Sequence, residues 1–218
     1  SPMSRGLGDV YKRQAMSKDL ASLTDSLKTR NLQPQDVRRQ LAEQATIDEM
    51  TGLRNRRGVN IIINDELARM KRMQLPIAVI ALDVDHFKTY NDNYGHPAGD
   101  QVLQQLANVM LEMTSRAGEF AARMGGEEFV LFYPTVNRTA ALELAEDLRM
   151  KVLGLKIPHE KSLTAEYVTV SIGVISCVPE WELEFDTLLK AADDALYLSK
   201  TGGRNRVTCG ELEANDQS

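Results

Sequence analysis

The sequence predicts an α+β domain with α/β-like alternation, a single sheet with helices packed on it, and three observations carry that expectation. Strand-like and helix-like segments interleave along the chain. Two strand-like arms in Phe120 to Pro134 meet at Gly125-Gly126, where paired glycines allow positive φ at both central positions of a tight hairpin. Val168, Val170, Ile172 and Val174 alternate with Thr169, Ser171 and Gly173, the period of a strand with one buried face.

The elements follow in order. Ser1 to Gln14 has no apolar period and is expected to be a disordered tail or a non-native scar (1–14); no apolar stretch follows its basic residues to make a signal peptide. Leu20, Leu23 and Leu27, then Val37, Leu41 and Ala45 after Pro34, predict two short amphipathic helices, a helical linker over 15–46. Val59, Ile62, Ile63, Leu67 and Met70 form the stripe of a longer helix, which Pro76 follows. The β-branched run Ile77 to Leu82 reads as a buried central strand. Helical periods recur at Val102, Leu103, Leu106, Met110 and Met113, at Ala141, Ala145, Leu148 and Val152, and at Leu189, Ala192 and Leu196. Arg206 to Thr208 closes the domain as a short strand, and 211–218 is expected to be a tail.

Composition removes several classes. The 218 residues are 43% hydrophobic and 26% charged, which disfavours disordered, collagen-like and disulfide-scaffold chains. A formal net charge of -5 disfavours an extended nucleic-acid footprint. Cys177 and Cys209 lie far apart without CxxC spacing, so they argue against a zinc site and suit a reducing, cytoplasmic location. The longest apolar run falls far short of the roughly 20 residues that span a bilayer, so no membrane segment is expected in this chain.

Three constellations carry chemistry. Asp83-Val84-Asp85-His86-Phe87-Lys88 stands where the buried strand ends; a carboxylate there is either held by a rigid element for a hard divalent cation or caps the next helix as an Asx turn. Asn91-Asp92 precedes Gly95-His96-Pro97-Ala98-Gly99-Asp100. Asn offers donor and acceptor and Asp only acceptors, a set that suits the N1 and exocyclic amine donors of guanine; the alternative is a glycine-rich loop with Asp100 at a helix N-terminus. Arg123-Met124-Gly125-Gly126-Glu127-Glu128-Phe129 puts two consecutive carboxylates at the hairpin tip. That pair either invites a cation or catalysis, or is a solvated turn. The side-chain-free Gly125 and Gly126 also let a phosphate approach.

Together these segments resemble the GGDEF family of diguanylate cyclases. The resemblance rests on Asp48 to Gly58 (DEMTGLRNRRG), Asp83 to Asp92 (DVDHFKTYND), Gly95 to Asp100 (GHPAGD), Gly125 to Phe129 (GGEEF), Ser171-Ile172-Gly173, and Ala192 to Asn205 with its AD, ALY, K and GRN elements. It covers about three quarters of the chain, from near Glu43 to near Cys209.

The resemblance implies a catalytic domain over 47–210 with a central mixed sheet wrapped by helices, similar to the palm of nucleotidyl cyclases and polymerases. It implies condensation of two GTP into cyclic di-GMP with release of two pyrophosphates, each GTP held by one subunit of a homodimer. Asp83, the Val84 carbonyl and Glu127 would hold Mg2+, with Mn2+ as an alternative. Glu127 or the adjacent Glu128, with Lys88, would be catalytic. Asn91 and Asp100 would read guanine, Lys88, Lys200 and Arg204 would neutralise the triphosphate, and amides near Phe87 and Lys88 would cradle phosphates. His96 would order the loop between Asn91 and Asp100. Arg116 and Glu119 match an inhibitory product site usually written Arg-x-x-Asp, so feedback is expected in weakened form or not at all. A sensory or receiver domain would precede the helical linker. The intact Glu127 and Asp83 favour an enzyme over a domain that only senses GTP or cyclic di-GMP. Asp100 disfavours an adenine-specific cyclase, because a carboxylate repels the acceptor N1 of adenine.

Overall fold

The structure is a computed structural model and describes residues 46–212; the tail over 1–14, the two helices of the linker up to Ala45 and the last six residues of the C-terminal tail lie outside the described residues. Within them the elements are β1 (Arg54–Asn55), α1 (Arg56–Met73), β2 (Ile77–Val84), α2 (Phe87–Tyr94), α3 (His96–Met113), β3 (Phe120–Gly125), β4 (Glu128–Pro134), α4 (Arg138–Gly154), β5 (Val170–Cys177), α5 (Phe185–Thr201) and β6 (Val207–Cys209). The strands make one mixed sheet in the order β1-β3-β4-β2-β5-β6. The outer pairs β1·β3 and β5·β6 are parallel, and the three inner pairs are antiparallel. The expected α+β class with helices around a mixed sheet is what the chain forms.

β2 is central and buried along its whole length. Successive side chains of a strand point to opposite faces, so Ile77, Val79 and Ala81 meet Val59, Ile63, Leu67 and Met70 of α1 and Leu188, Ala192 and Leu196 of α5. Ala78, Ile80 and Leu82 meet the other face, with Phe87 and Tyr90 of α2, Leu103 and Leu106 of α3, and Leu148 of α4. The helix α1 starts at Asn55, whose side chain accepts from the Gly58 amide at 2.9 Å. It ends at Gln74 in the left-handed region, two residues before Pro76.

Three sequence expectations change. The hairpin turn centres on Gly126 and Glu127, because Gly125 pairs with Glu128 and the register shifts between Arg123 and Gly125. Of those two central residues only Gly126 has positive φ, at 52°. The strand expected to have one solvated face is buried on both as far as Ile175, because Thr169 and Ser171 serve as internal donors. The segment between Asn91 and Asp100 is not a loop: Asn91 lies in α2, Asp100 in α3, and Gly95 alone joins the helices.

Candidate active site at the end of the central strand

Asp83 is the next-to-last residue of β2 and only 8% exposed. It sits between Glu128 of β4 and Ser171 of β5 in the strand register. Its Oδ2 accepts from Lys200 Nζ at 2.8 Å, so the lysine of α5 expected to face phosphate is seated on this carboxylate. Burial pushes Asp83 up to about 6; Lys200 works against that, while the charges of Glu127 and Glu128 add to it. Val84 ends the strand, buried beside it. Glu127 is half-buried in the hairpin turn and Glu128 is exposed.

The turn is fixed from a distance. Arg123 Nε donates to the Gly126 carbonyl at 2.8 Å, and its Nη1 reaches Asp48 at 3.3 Å. Asp48 Oδ1 also accepts from the Thr51 amide at 2.9 Å and the Thr51 hydroxyl at 2.7 Å. Burial would raise the Asp48 pKa, but the bonds from Thr51 and the Arg123 guanidinium outweigh it and hold it below the usual value. An Asp followed three residues on by a Thr can cap a turn through its side chain, and that spacing could have pointed to Asp48; nothing local in sequence pointed to Arg123 as its partner.

α2 begins two residues beyond Asp85. His86, in the left-handed region at φ 57°, is its N-cap, so the first amides of α2, at Phe87 and Lys88, are free of helix partners as a phosphate cradle requires. Lys88 is exposed at the second helical position and Phe87 is buried. Asn91 lies one turn on from Phe87, against Gly99 of α3: a Cβ at Gly99 would stand 1.9 Å from Asn91 Oδ1 and 3.1 Å from the Phe87 ring. Asn91 Oδ1 is buried with no hydrogen-bond partner. Asp100 follows Gly99 and is exposed, as is His96.

On the other side, Arg204 and Asn205 follow α5 in the left-handed region, at φ 62° and 46°. The His86 pKa is lowered by burial first and then by the positive charge of Arg204. Asp85, which sequence reading left without a role, is 2% exposed. It accepts from the Thr169 hydroxyl at 2.7 Å, the Ser171 hydroxyl at 2.6 Å and the Asn205 amide at 3.0 Å. Its signal was the two-residue step from Asp83, which carries the strand's alternation one residue past the end of β2.

Arg116 and Glu119 are apart from this group. They precede β3, whose six residues separate them from the hairpin turn by roughly 20 Å at about 3.3 Å per residue. A groove of about 640 Å³ between α1 and Leu183–Asp186, lined in part by Arg56, Asn60, Asn64 and Lys71, holds none of the expected site residues. The carboxylates singled out from the sequence gather at the strand end, not in that groove.

Among the described residues, no three His, Cys, Asp or Glu side chains form a ready-made metal cluster. Two carboxylates and a backbone carbonyl at one strand end nevertheless fit Mg2+, which is commonly held by one or two carboxylates together with substrate phosphates and water. The Lys200 ammonium on Asp83 shows that this carboxylate takes a cation.

Fold and strand-end carboxylates define a nucleotidyl-cyclase-like α+β domain. Residues 45–206 match the profile described as "Diguanylate cyclase, GGDEF domain", and the chain belongs to that family. It is 33% identical over 207 residues to the response regulator PleD of Caulobacter vibrioides, covering 93% of this chain and 45% of PleD. It is 32% identical over 161 residues to the diguanylate cyclase DosC of Escherichia coli, covering 74% of this chain and 34% of DosC. The chain thus spans less than half the length of either relative. The GGDEF domain of DgcB from Caulobacter crescentus, solved in complex with c-di-GMP, superposes with a TM-score of 0.68 at 34% identity, over 76% of this chain and 95% of that one. Among the described residues no helix is long and apolar enough to cross a membrane.

Proposed function

We propose that this chain is a diguanylate cyclase, an enzyme that condenses two GTP into cyclic di-GMP and two pyrophosphates. The observation that carries the reading is Asp83, a buried carboxylate held at a rigid strand end beside the Glu127-Glu128 turn.

Asp83, the Val84 carbonyl and Glu127 would hold Mg2+, with Mn2+ as the alternative. Bound there, the metal would polarise the α-phosphate and acidify the 3′-hydroxyl. Glu127, with Glu128 beside it, takes the proton of the attacking hydroxyl. Lys88 and Arg204, with the amides at the start of α2, hold the phosphates, and Lys200 keeps Asp83 ionised until nucleotide and metal arrive. Asn91, near the end of α2, and the exposed Asp100, near the start of α3, read guanine, Asp100 accepting from the guanine donors. Gly125 and Gly126 leave room for the phosphates above the turn.

One such site holds one nucleotide, so two copies of the chain must face each other for turnover. The preceding residues are read as the linker to a sensory or receiver domain, and the protein as cytoplasmic. Arg116 and Glu119 form a degenerate site for the product. Incubation with GTP and Mg2+ followed by mass spectrometry is the test. Cyclic di-GMP is the expected product, and its absence at protein concentrations where the chain is dimeric overturns the reading.

A further inference from the structure

We propose that Asp85 is a positioning residue, which fixes Arg204 relative to Asp83 and so sets where the phosphate tail of the nucleotide is gripped. The inference rests on the GTP reading of the site and deepens it.

A buried carboxylate is costly unless hydrogen-bonded. Asp85 offsets that cost without a cation: it takes part in no ion pair among the described residues, and three donors converge on its two oxygens. Two of the donors, Thr169 and Ser171, sit on or next to β5, and Asp85 N–H itself donates to the Thr169 carbonyl at 2.9 Å. These tie the end of β2 to rigid sheet. The third is a main-chain amide, that of Asn205, in a loop that needs holding.

Arg204 and Asn205 are consecutive non-glycine residues in the left-handed region. That conformation persists only where surrounding contacts determine it. The contacts are few and specific: Arg204 N–H donates to the Ser199 carbonyl at 3.0 Å, Arg206 Nε donates to the Arg204 carbonyl at 3.2 Å, Arg149 Nη1 of α4 donates to Asn205 Oδ1 at 2.7 Å, and Asp85 takes the Asn205 amide at 3.0 Å. Of these, only the bond to Asp85 reaches the segment that continues directly from the strand carrying Asp83. Because Val84 alone separates the two aspartates, the end of β2 and the residue that follows it fix the metal-side carboxylate and, through Asn205, the half-buried Arg204.

Binding to the full chain decides this, with Mg2+ and two probes, a non-hydrolysable GTP analogue and GMP, titrated calorimetrically. Asp85→Ala and Arg204→Ala should each weaken the triphosphate about tenfold and GMP less than about threefold, and the double variant should be no weaker than about twice either single one, since both act through one contact. Asp85→Asn should recover most of the Asp85→Ala loss. A flipped carboxamide keeps its oxygen toward Thr169 and Asn205 and turns its NH2 to the Ser171 hydroxyl, which can accept. Should Asp85→Ala fail to fold by circular dichroism, Arg149→Ala releases Asn205 from the other side and must show the same selective loss and the same non-additivity. Four results overturn the inference alone: wild-type affinity in Asp85→Ala, an additive loss of about a hundredfold in the double variant, equal loss of both probes, or no recovery in Asp85→Asn. A wild-type chain that binds no GTP analogue overturns the GTP reading and this inference with it.

Discussion

Lys200 Nζ stands 2.8 Å from Asp83 Oδ2, an ammonium from the last turn of α5 seated on the carboxylate that ends β2. Even so, burial and the charges of Glu127 and Glu128 keep the Asp83 pKa at about 6, above its ordinary 3.8. A carboxylate raised in the folded state favours folding most below its unfolded pKa, and that contribution is lost as pH rises through the folded value. Asp83 therefore costs stability at neutral pH for the charge that the proposed metal site requires. Asp83→Asn removes the titration, so its stability relative to wild type should rise between pH 4 and pH 7.5 by on the order of 1–3 kcal/mol. Urea unfolding of both proteins at the two pH values checks this; an unchanged difference refutes it.

Glu127→Gln keeps the side chain's size and removes its charge. Glu127 is half-buried in a solvent-facing turn, so the fold should be retained while activity falls by at least about a hundredfold, the usual scale for a lost metal ligand or transition-state contact. Steady-state turnover with GTP is the measurement. Retention of more than about a tenth of wild-type rate, a loss of only about 1.4 kcal/mol, removes Glu127 from the catalytic role.

Arg123 bridges the Asp48 turn and the Gly126 carbonyl with one guanidinium. Its removal frees the hairpin tip and leaves a largely enclosed carboxylate with less support, so Arg123→Ala should destabilise the domain by about 1–3 kcal/mol. A cycle with Asp48→Ala should show a coupling of about 1 kcal/mol. Additive losses in denaturant unfolding would mean that the two residues act independently.

How much of this was legible follows from where each signal resides. β2 and α1 were legible because eight and eighteen residues repeat a pattern of burial. β1 was not, since its two residues carry no period and it exists through parallel pairing with the distant β3. The extent of α2 was not legible because Asn91, Asp92 and Asn93 are poor helix formers; Phe87 and Tyr90, buried in the core, hold it in place. Thr169 and Ser171 were read as solvent-facing because polar residues usually are, but buried polar groups are hydrogen-bonded, and theirs bond Asp85. Motif residues placed the site, whereas the Asp83–Lys200 and Asp85–Asn205 contacts join distant segments and needed the fold.

Gly173 shows how tightly α5 is laid on β5. A Cβ there would stand 2.1 Å from the Ala192 carbonyl oxygen and 2.3 Å from the Leu196 amide, both main-chain atoms. Gly173→Ala must push away the helix that carries Lys200, an overpacking cost of about 3 kcal/mol or more. Lower unfolding midpoints and lost GTP turnover together are expected; wild-type stability would show that the helix moves freely.

Glu119 Oε2 accepts from the Arg116 amide at 3.0 Å, and Glu119 N–H donates to the Arg116 carbonyl at 3.1 Å. The pair is thus a loop capped by its own carboxylate, not an ion pair between side chains, and among the described residues the exposed Arg116 guanidinium is in no ion pair. The extra methylene of Glu over Asp gives the carboxylate the reach to fold back in this way. To meet a guanine edge it must give up the bond, at a cost of about 0.5–1.5 kcal/mol, or roughly two- to twelvefold in affinity. Cyclic di-GMP should therefore bind weakly, with Kd on the order of micromolar or above. Arg116→Ala should abolish that binding, because the planar fork that grips phosphate or guanine is gone. Glu119→Asp, too short to cap the loop in the same geometry, should tighten it several-fold. Isothermal titration of the product onto the three proteins decides the matter: submicromolar binding by wild type that disappears in Arg116→Ala would show that Glu replaces Asp here without loss.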